Sequence, residues 1–365
     1  MQDLTNLVNS GIITLKPYIP GKPIETLKRE YALDHIIKLA SNENPLGPSP
    51  KALISLKQDM QNIHLYPDGD AFYLKSALVE YYPIERQQLT IGNGSDSLLH
   101  LIALTYVKPR EKIIFSQFGF AMYKIIAQLV NAQAVEIPAK SDWSHDLQAI
   151  AAAVDTETKL IFLANPNNPT GTWFSQNELI NFLDKIPKHV LVVLDEAYYE
   201  YVTEKDYPDS LKLLSSYPNL IISRTFSKIY GLAGLRVAYC IAQAELTDCL
   251  NRARLPFNVN SLAQHAATAA LTDDAHRKHS LQHNLQQKDY FITQLNQLNL
   301  EFIPSIGNFI TIKLGENANK FYQQLLEKGI IVRPLTNYSM PEHLRVSFGK
   351  ADENQQFFKV LKQLL

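Results

Sequence analysis

The sequence predicts a doubly wound α/β fold, built on a mostly parallel sheet and joined to a smaller α/β domain. Three observations carry this. Ile113–Phe115, Ala134–Ile137, Leu160–Leu163, Leu191–Leu194, Leu220–Ser223 and Val237–Ile241 are short apolar runs, with helical spacing between several of them. That alternation is the mark of βαβ units. The run Leu191-Val192-Val193-Leu194 is apolar throughout, as a parallel strand covered on both faces should be. A chain of 365 residues is long for one core and fits a large domain with a smaller one attached.

Residues 1–40 read as an arm containing a Pro- and Gly-bearing stretch, leading into the loop Ser41–Pro50. Ser97 to Val107 is apolar at helical spacing, with Ser95 or Asp96 as N-cap. Just before it, Ile91-Gly92-Asn93-Gly94 would let a backbone approach closely, and the helix start offers free amides to a phosphate. A lone Gly-x-Gly is also a plain turn. The run Lys159–Ala164 is strand-like and ends in Asn165-Pro166-Asn167-Asn168-Pro169-Thr170-Gly171, a loop of local hydrogen-bonders and fixed φ angles. Beyond Arg254–Asn260 come long helices, then Phe309–Ile312, another helix, and short strands near Ile330–Val332 and Leu344–Ser347.

Composition narrows the function classes. Hydrophobic residues make up 46% and charged residues 19%, as in a soluble globular protein. Lys and Arg number 35 against 36 Asp and Glu, so no basic field exists for nucleic acid or anionic membrane. No apolar run approaches spanning length, and the first ten residues lack the pattern of a signal peptide. Two cysteines, Cys240 and Cys249, form no disulfide framework or metal pattern, which points to a reducing cytoplasm. His276, His279 and His283 share a helix face among Arg277, Lys278 and Gln282, and read as solvated rather than as metal ligands.

The chemistry concentrates in Arg224-Thr225-Phe226-Ser227-Lys228-Ile229-Tyr230-Gly231, with Arg236 eight positions beyond the lysine. An amine among hydroxyls, glycines and apolar residues can form a Schiff base. Thr225, Ser227 and Arg236 can bind a phosphate beside it, the arginine bidentately. Together they suggest pyridoxal 5′-phosphate (PLP), whose aldehyde and phosphate lie on neighbouring arms of one ring. Asp195 would stand at the carboxyl end of its strand, where open α/β sheets bind ligands. There it can keep the pyridine nitrogen protonated, although a strand-end Asp can also simply cap the next element. Asn168 and Tyr198 are placed to meet the ring hydroxyl.

Asn-Pro-Asn-Asn-Pro-Thr-Gly, then Asp-Glu-Ala-Tyr, then Ser-Lys with Arg eight later resembles the fold-type I PLP-dependent aminotransferases. Lys16–Pro23, Leu39–Gly47, Tyr66-Pro67-Asp68-Gly69 and Arg345–Gly349 look closest to the histidinol-phosphate branch. The resemblance runs from about residue 10 to the C-terminus. It implies an arm (1–40) joining the small domain, a large PLP-binding domain (41–256) and a small C-terminal domain (257–365). It adds Ser95 and Asp96 to the phosphate site, where Ser97 stands in place of the acidic residue relatives often carry. Phe120 would stack on the pyridine face, with core packing as the alternative. Tyr66 would be lent to the cofactor phosphate of the neighbouring subunit in a homodimer.

The implied reaction moves the amino group of L-histidinol phosphate to 2-oxoglutarate in ping-pong fashion. The catalytic residues would be Lys228, Asp195 and Tyr198, with the freed lysine shifting a proton from the substrate Cα to the cofactor. Arg345 resembles the arginine aimed at the substrate anion; Arg333 is a second candidate, and Tyr18 and Asn168 complete the substrate set. Aromatic amino acids as donors, and decarboxylation of a phosphorylated amino acid, remain open alternatives on the same fold. Two other classes are weaker: a non-catalytic regulatory module does not need Lys228, and a nucleotide-binding protein leaves Asp195 and Lys228 unexplained.

Overall fold

The computed structural model describes residues 7–18 and 20–365. Its strands, in chain order, are β1 (Ile37–Lys38), β2 (Leu89–Gly92), β3 (Lys112–Ser116), β4 (Gln133–Ile137), β5 (Thr158–Ala164), β6 (Leu191–Asp195), β7 (Leu220–Thr225) and β8 (Ala238–Ile241). They continue with β9 (Phe302–Ile303), β10 (Phe309–Lys313), β11 (Ile330–Ile331), β12 (Arg333–Pro334) and β13 (His343–Ser347). Seven form one sheet in the order β2-β8-β7-β6-β5-β3-β4. Within it β7, β6, β5, β3 and β4 run parallel, and β8 alone opposes its neighbours. All five residues of β6 are buried, which explains its unbroken apolar text.

Helices cover both faces. Leu98, Leu99 and Ile102 of the helix Ser95–Tyr106 pack with Ile113, Phe162 and Val193 on one side. On the other, Ile161, Val192, Leu194 and Ile222 meet Leu74, Leu78 and a row of alanines. Those alanines (Ala263, Ala266, Ala267, Ala270) belong to the helix Ser261–Leu271, which therefore sits in the core of the large sheet although it follows residue 256. A second sheet, β12-β13-β10-β9, is antiparallel and packs with the helices Asp274–Gln297, Ala318–Glu327 and Ala351–Leu364. The arm reaches this unit directly, because β1 pairs in parallel with β11.

Three features differ from what the sequence predicts. The helix expected from Ser97 starts at Ser95, and Gly94, without a side-chain bond, is its N-cap. Ser95 and Asp96 are thus helical residues rather than caps. Leu89–Gly92, where the sequence offered a turn at Ile91–Gly94 and no strand, is the edge strand paired to β8. The histidine face is only partly solvated: His279 is exposed, but His276 and His283 lie 3.1 and 3.0 Å from the carbonyls of Gly47 and Gly349.

Candidate active site

The parallel strands deliver Asn165 after β5, Asp195 at the end of β6 and Thr225 at the end of β7 to one edge of the sheet, with Asp195 in register with Ala164 and Ser223. Because β8 runs the other way, its beginning lies at that same edge, and Arg236 arrives there just ahead of it. Between this edge and the small sheet lies a cleft of about 440 Å³. Its lining includes Ser95, Asp96, Phe120, Asn168, Asp195, Tyr198, Thr225, Ser227, Lys228, Arg236, Arg333, Arg345 and Tyr18. Every expected site residue except Tyr66 is therefore in one place. Tyr66 is 83% exposed and stacks on Phe257 with ring centroids 4.8 Å apart, outside the cleft of its own chain.

Asp195 forms the floor. Its Oδ2 accepts a hydrogen bond from Tyr123 Oη at 3.0 Å, while buried Oδ1 has no partner among the described residues. Burial raises the carboxyl to about 6, against the lowering effect of the Tyr123 bond. An ionised oxygen left bare in a cleft fits a cationic N–H donor from a ligand. The next residue, Glu196, takes the opposite side and pairs with buried Arg224 at 2.8 Å. Lys228 reaches the cleft with Nζ 5.5 Å from the Tyr198 ring centroid and 3.4 Å from the Ser41 carbonyl.

One end of the cleft gathers hydroxyls, backbone amides and Arg236. Thr225 Oγ1 donates to Ser227 Oγ at 3.1 Å and accepts from the Ser227 amide at 3.1 Å. Arg236 donates from Nη1 to the Ala233 carbonyl at 3.1 Å and approaches Ser227 Oγ and Asp96 Oδ2 at 3.5 Å each, long contacts that leave room for a further acceptor. The helix Ser95–Tyr106 points its free amides at the same space. Gly94 makes the fit possible, since a Cβ there would stand 2.3 Å from Arg236 Nη2. Ser97 takes no part in this cluster; its hydroxyl donates back to the Gly94 carbonyl at 2.9 Å.

The opposite wall is cationic. Arg345 and Arg333 face each other across β13 and β12 and are 6% and 4% exposed, yet neither makes an ion pair among the described residues. Arg345 donates to Asn168 Oδ1 and, at 2.6 Å, to the Ala40 carbonyl. Arg345 Nε and Arg333 Nη2 are buried without partners among the described residues. Burial pulls Arg345 below the usual guanidinium range. Tyr18 lies over Arg333, with 5.4 Å from Cζ to the ring centroid. With its Oδ1 engaged by Arg345, Asn168 has its amide nitrogen left for a ligand. Phe120 stands edge-on to Tyr123 at 5.9 Å on the cleft wall.

Sequence reasoning missed Tyr123, which holds Asp195, and Asn42, whose Nδ2 donates to Tyr198 Oη at 2.8 Å. Tyr123 is three residues beyond Phe120 at the start of a helix, and that spacing was the available signal. Asn42 offered none beyond its place in the Ser41–Pro50 loop.

A carboxylate with a free oxygen, a lysine, a cluster of hydroxyls beside an arginine, and two buried arginines without ion pairs among the described residues share one cleft. Residues 34–361 match the family model described as aminotransferase class I and II, and the chain belongs to that family. It is 50% identical over 361 residues to histidinol-phosphate aminotransferase 2 of Pseudomonas fluorescens, covering 98% of this chain and 97% of that one. Histidinol-phosphate aminotransferase 1 of Idiomarina loihiensis is 48% identical over 358 residues, with 98% and 97% covered. Among solved structures, histidinol-phosphate aminotransferase from Sinorhizobium meliloti in complex with pyridoxal-5′-phosphate superposes with a TM-score of 0.88 at 27% identity, covering 98% of each chain. The fold is that of the fold-type I PLP-dependent transferases.

Proposed function

We propose that this chain is a histidinol-phosphate aminotransferase, moving the amino group of L-histidinol phosphate to 2-oxoglutarate to give imidazole acetol phosphate and glutamate. The observation that carries the reading is the pair of buried arginines, without ion pairs among the described residues, that share one cleft with Lys228. A donor bearing phosphate and an acceptor bearing two carboxylates can use the same two guanidinium groups in turn. The names of relatives about half identical over nearly the whole chain support that donor.

The residues present fit PLP. Ser95, Asp96, Thr225, Ser227 and Arg236 would hold its phosphate, Asp195 its ring nitrogen, Asn168 and Tyr198 its ring oxygen, and Phe120 its face. When bound, the cofactor supplies an electron sink for the pair left at the substrate Cα. Lys228 Nζ takes the proton from that Cα as general base. Asp195, held by the Tyr123 hydroxyl, would keep the ring nitrogen protonated. Arg345, with Arg333 and Tyr18, grips the distal anion and so orients the Cα hydrogen toward Lys228.

A homodimer is part of the reading. Ile63, Leu65, Tyr66, Phe72, Tyr73, Leu255 and Phe257 are exposed, a surface suited to a second copy to which Tyr66 would be lent. The division into arm (1–40), large unit (41–256) and small unit (257–365) is proposed with Ser261–Leu271 riding on the large unit. Two free cysteines suit a reducing cytoplasm, and no described helix is long and apolar enough to cross a membrane. Glutamate release from histidinol phosphate and 2-oxoglutarate tests the reading. Faster turnover of phenylalanine, or release of carbon dioxide from a phosphorylated amino acid, would contradict it.

A further inference from the structure

Asn42 takes no part in the roles above, yet it is 1% exposed and lies where the two sheets meet the cleft. Its φ is +55°, a left-handed backbone that asparagine tolerates better than most residues. Its amide N–H donates to Ser347 Oγ at 2.8 Å. The serine hydroxyl donates its own proton to Asn42 Oδ1, also at 2.8 Å. An asparagine amide is usually ambiguous in orientation. Here the serine proton has no other acceptor among the described residues, so Oδ1 faces Ser347 and Nδ2 faces Tyr198. Nδ2 then donates to Tyr198 Oη at 2.8 Å. The tyrosine oxygen accepts, and its single proton is left for the cleft. Asn308 steadies the arrangement by donating to the Asn42 carbonyl at 2.9 Å.

The relay crosses the molecule. Tyr198 follows β6 in the large sheet, whereas Ser347 ends β13 in the small one, two positions after Arg345. We propose that Asn42 is a positioning residue that fixes the polarity of the Tyr198 hydroxyl, making it a donor toward the cleft, and that Ser347 locks Asn42 in that sense. The inference rests on the placement of the cofactor ring oxygen at Tyr198 proposed above. The titratable and charged groups facing Tyr198 are Lys228, Asp195, Tyr123, Tyr201 and Arg345. None of them accepts the Tyr198 proton.

The readout is the pH midpoint at which the visible absorption of the PLP-loaded protein interconverts. A donor at the ring oxygen favours its anionic form and keeps that midpoint low. In Asn42→Asp a carboxylate oxygen replaces the amide nitrogen at nearly the same size. Tyr198 must then donate to it and turn away from the cleft. The midpoint should rise by about one unit or more, the scale of one hydrogen bond to a charged group. Ser347→Ala frees the amide and should raise it by a smaller amount. Tyr198→Phe should also raise it, and in that background Asn42→Asp should add less than half of what it adds alone. Equal increments would mean that the new charge acts through space, and would overturn the polarity proposal. So would a rise in Tyr198→Phe with no change in Asn42→Asp. An unmoved midpoint in Tyr198→Phe itself would overturn the reading of Tyr198, and this proposal with it. If Asn42→Asp does not fold, Ser347→Ala decides: a rise supports the relay and an unchanged midpoint refutes it.

Discussion

Replacing Gly94 with alanine strikes the proposed phosphate cup from two directions. Gly94 has φ +82° and ψ 162°, a region that costs a residue with a side chain about 1–3 kcal/mol. Its new Cβ would also lie 2.3 Å from Nη2 and 2.9 Å from Cζ of Arg236. The guanidinium is the far end of a flexible side chain, so Arg236 gives way rather than the backbone. Backbone strain is present with and without PLP and falls on stability. Displacement of Arg236 falls on affinity, because it removes a charge-assisted hydrogen bond of about 1.5–3 kcal/mol. That is roughly tenfold to a hundredfold or more in Kd. Titrating the cofactor-free protein with PLP by absorbance, alongside thermal melts, measures both effects. An affinity within about twofold of the unmutated protein, in a variant whose melting temperature has dropped, would place Arg236 outside the phosphate site.

Burial raises Asp195 to about 6 from 3.8, so this group favours the folded cofactor-free chain at low pH and loses that contribution as pH rises through about 6. Cofactor-free Asp195→Asn should therefore melt no lower than the unmutated chain at about pH 8, while the loaded variant loses most turnover; a much lower melt or full activity contradicts this. Arg345→Ala should lower kcat/KM roughly tenfold to a hundredfold for both half-reactions, more for histidinol phosphate than for histidinol, with only partial rescue by lysine. Equal loss for both donors would make Arg345 structural and shift the phosphate-reading role to Arg333. Mixing Tyr66→Phe with Lys228→Ala should regenerate one intact site per mixed dimer and recover activity. No recovery, in dimers shown to be mixed, counts against a site completed by Tyr66.

The site residues that could be read from sequence are those whose role is local in the chain. Asp195 ends an apolar run, Lys228 and Ser227 follow another, and Asn168 sits in a loop that prolines and a glycine make unmistakable. Such positions follow from strand direction alone, since parallel strands bring their carboxyl ends to one edge. What escaped depends on distance. Asn42 meets Tyr198 across 156 positions and Ser347 across 305, and no periodicity encodes such a contact. β2 was missed because four residues ending in a glycine carry too little pattern, and its antiparallel partner β8 supplies the pairing. The helix at Ser95 began earlier than its apolar spacing suggested because Gly94 opens it without a side-chain cap. The histidines of the helix Asp274–Gln297 were read in the right periodicity. Which face meets solvent was decided by carbonyls at Gly47 and Gly349, remote in sequence.

Borohydride reduction probes Lys228 as the residue on which the chemistry turns. Reducing the PLP-loaded protein should fix the cofactor to one lysine, which proteolysis and mass spectrometry can locate. A single modified peptide containing Ser227-Lys228-Ile229 is expected, with no reduced adduct in Lys228→Ala even though that variant still binds PLP. A stoichiometric adduct on any other lysine, with Lys228 unmodified, would contradict it.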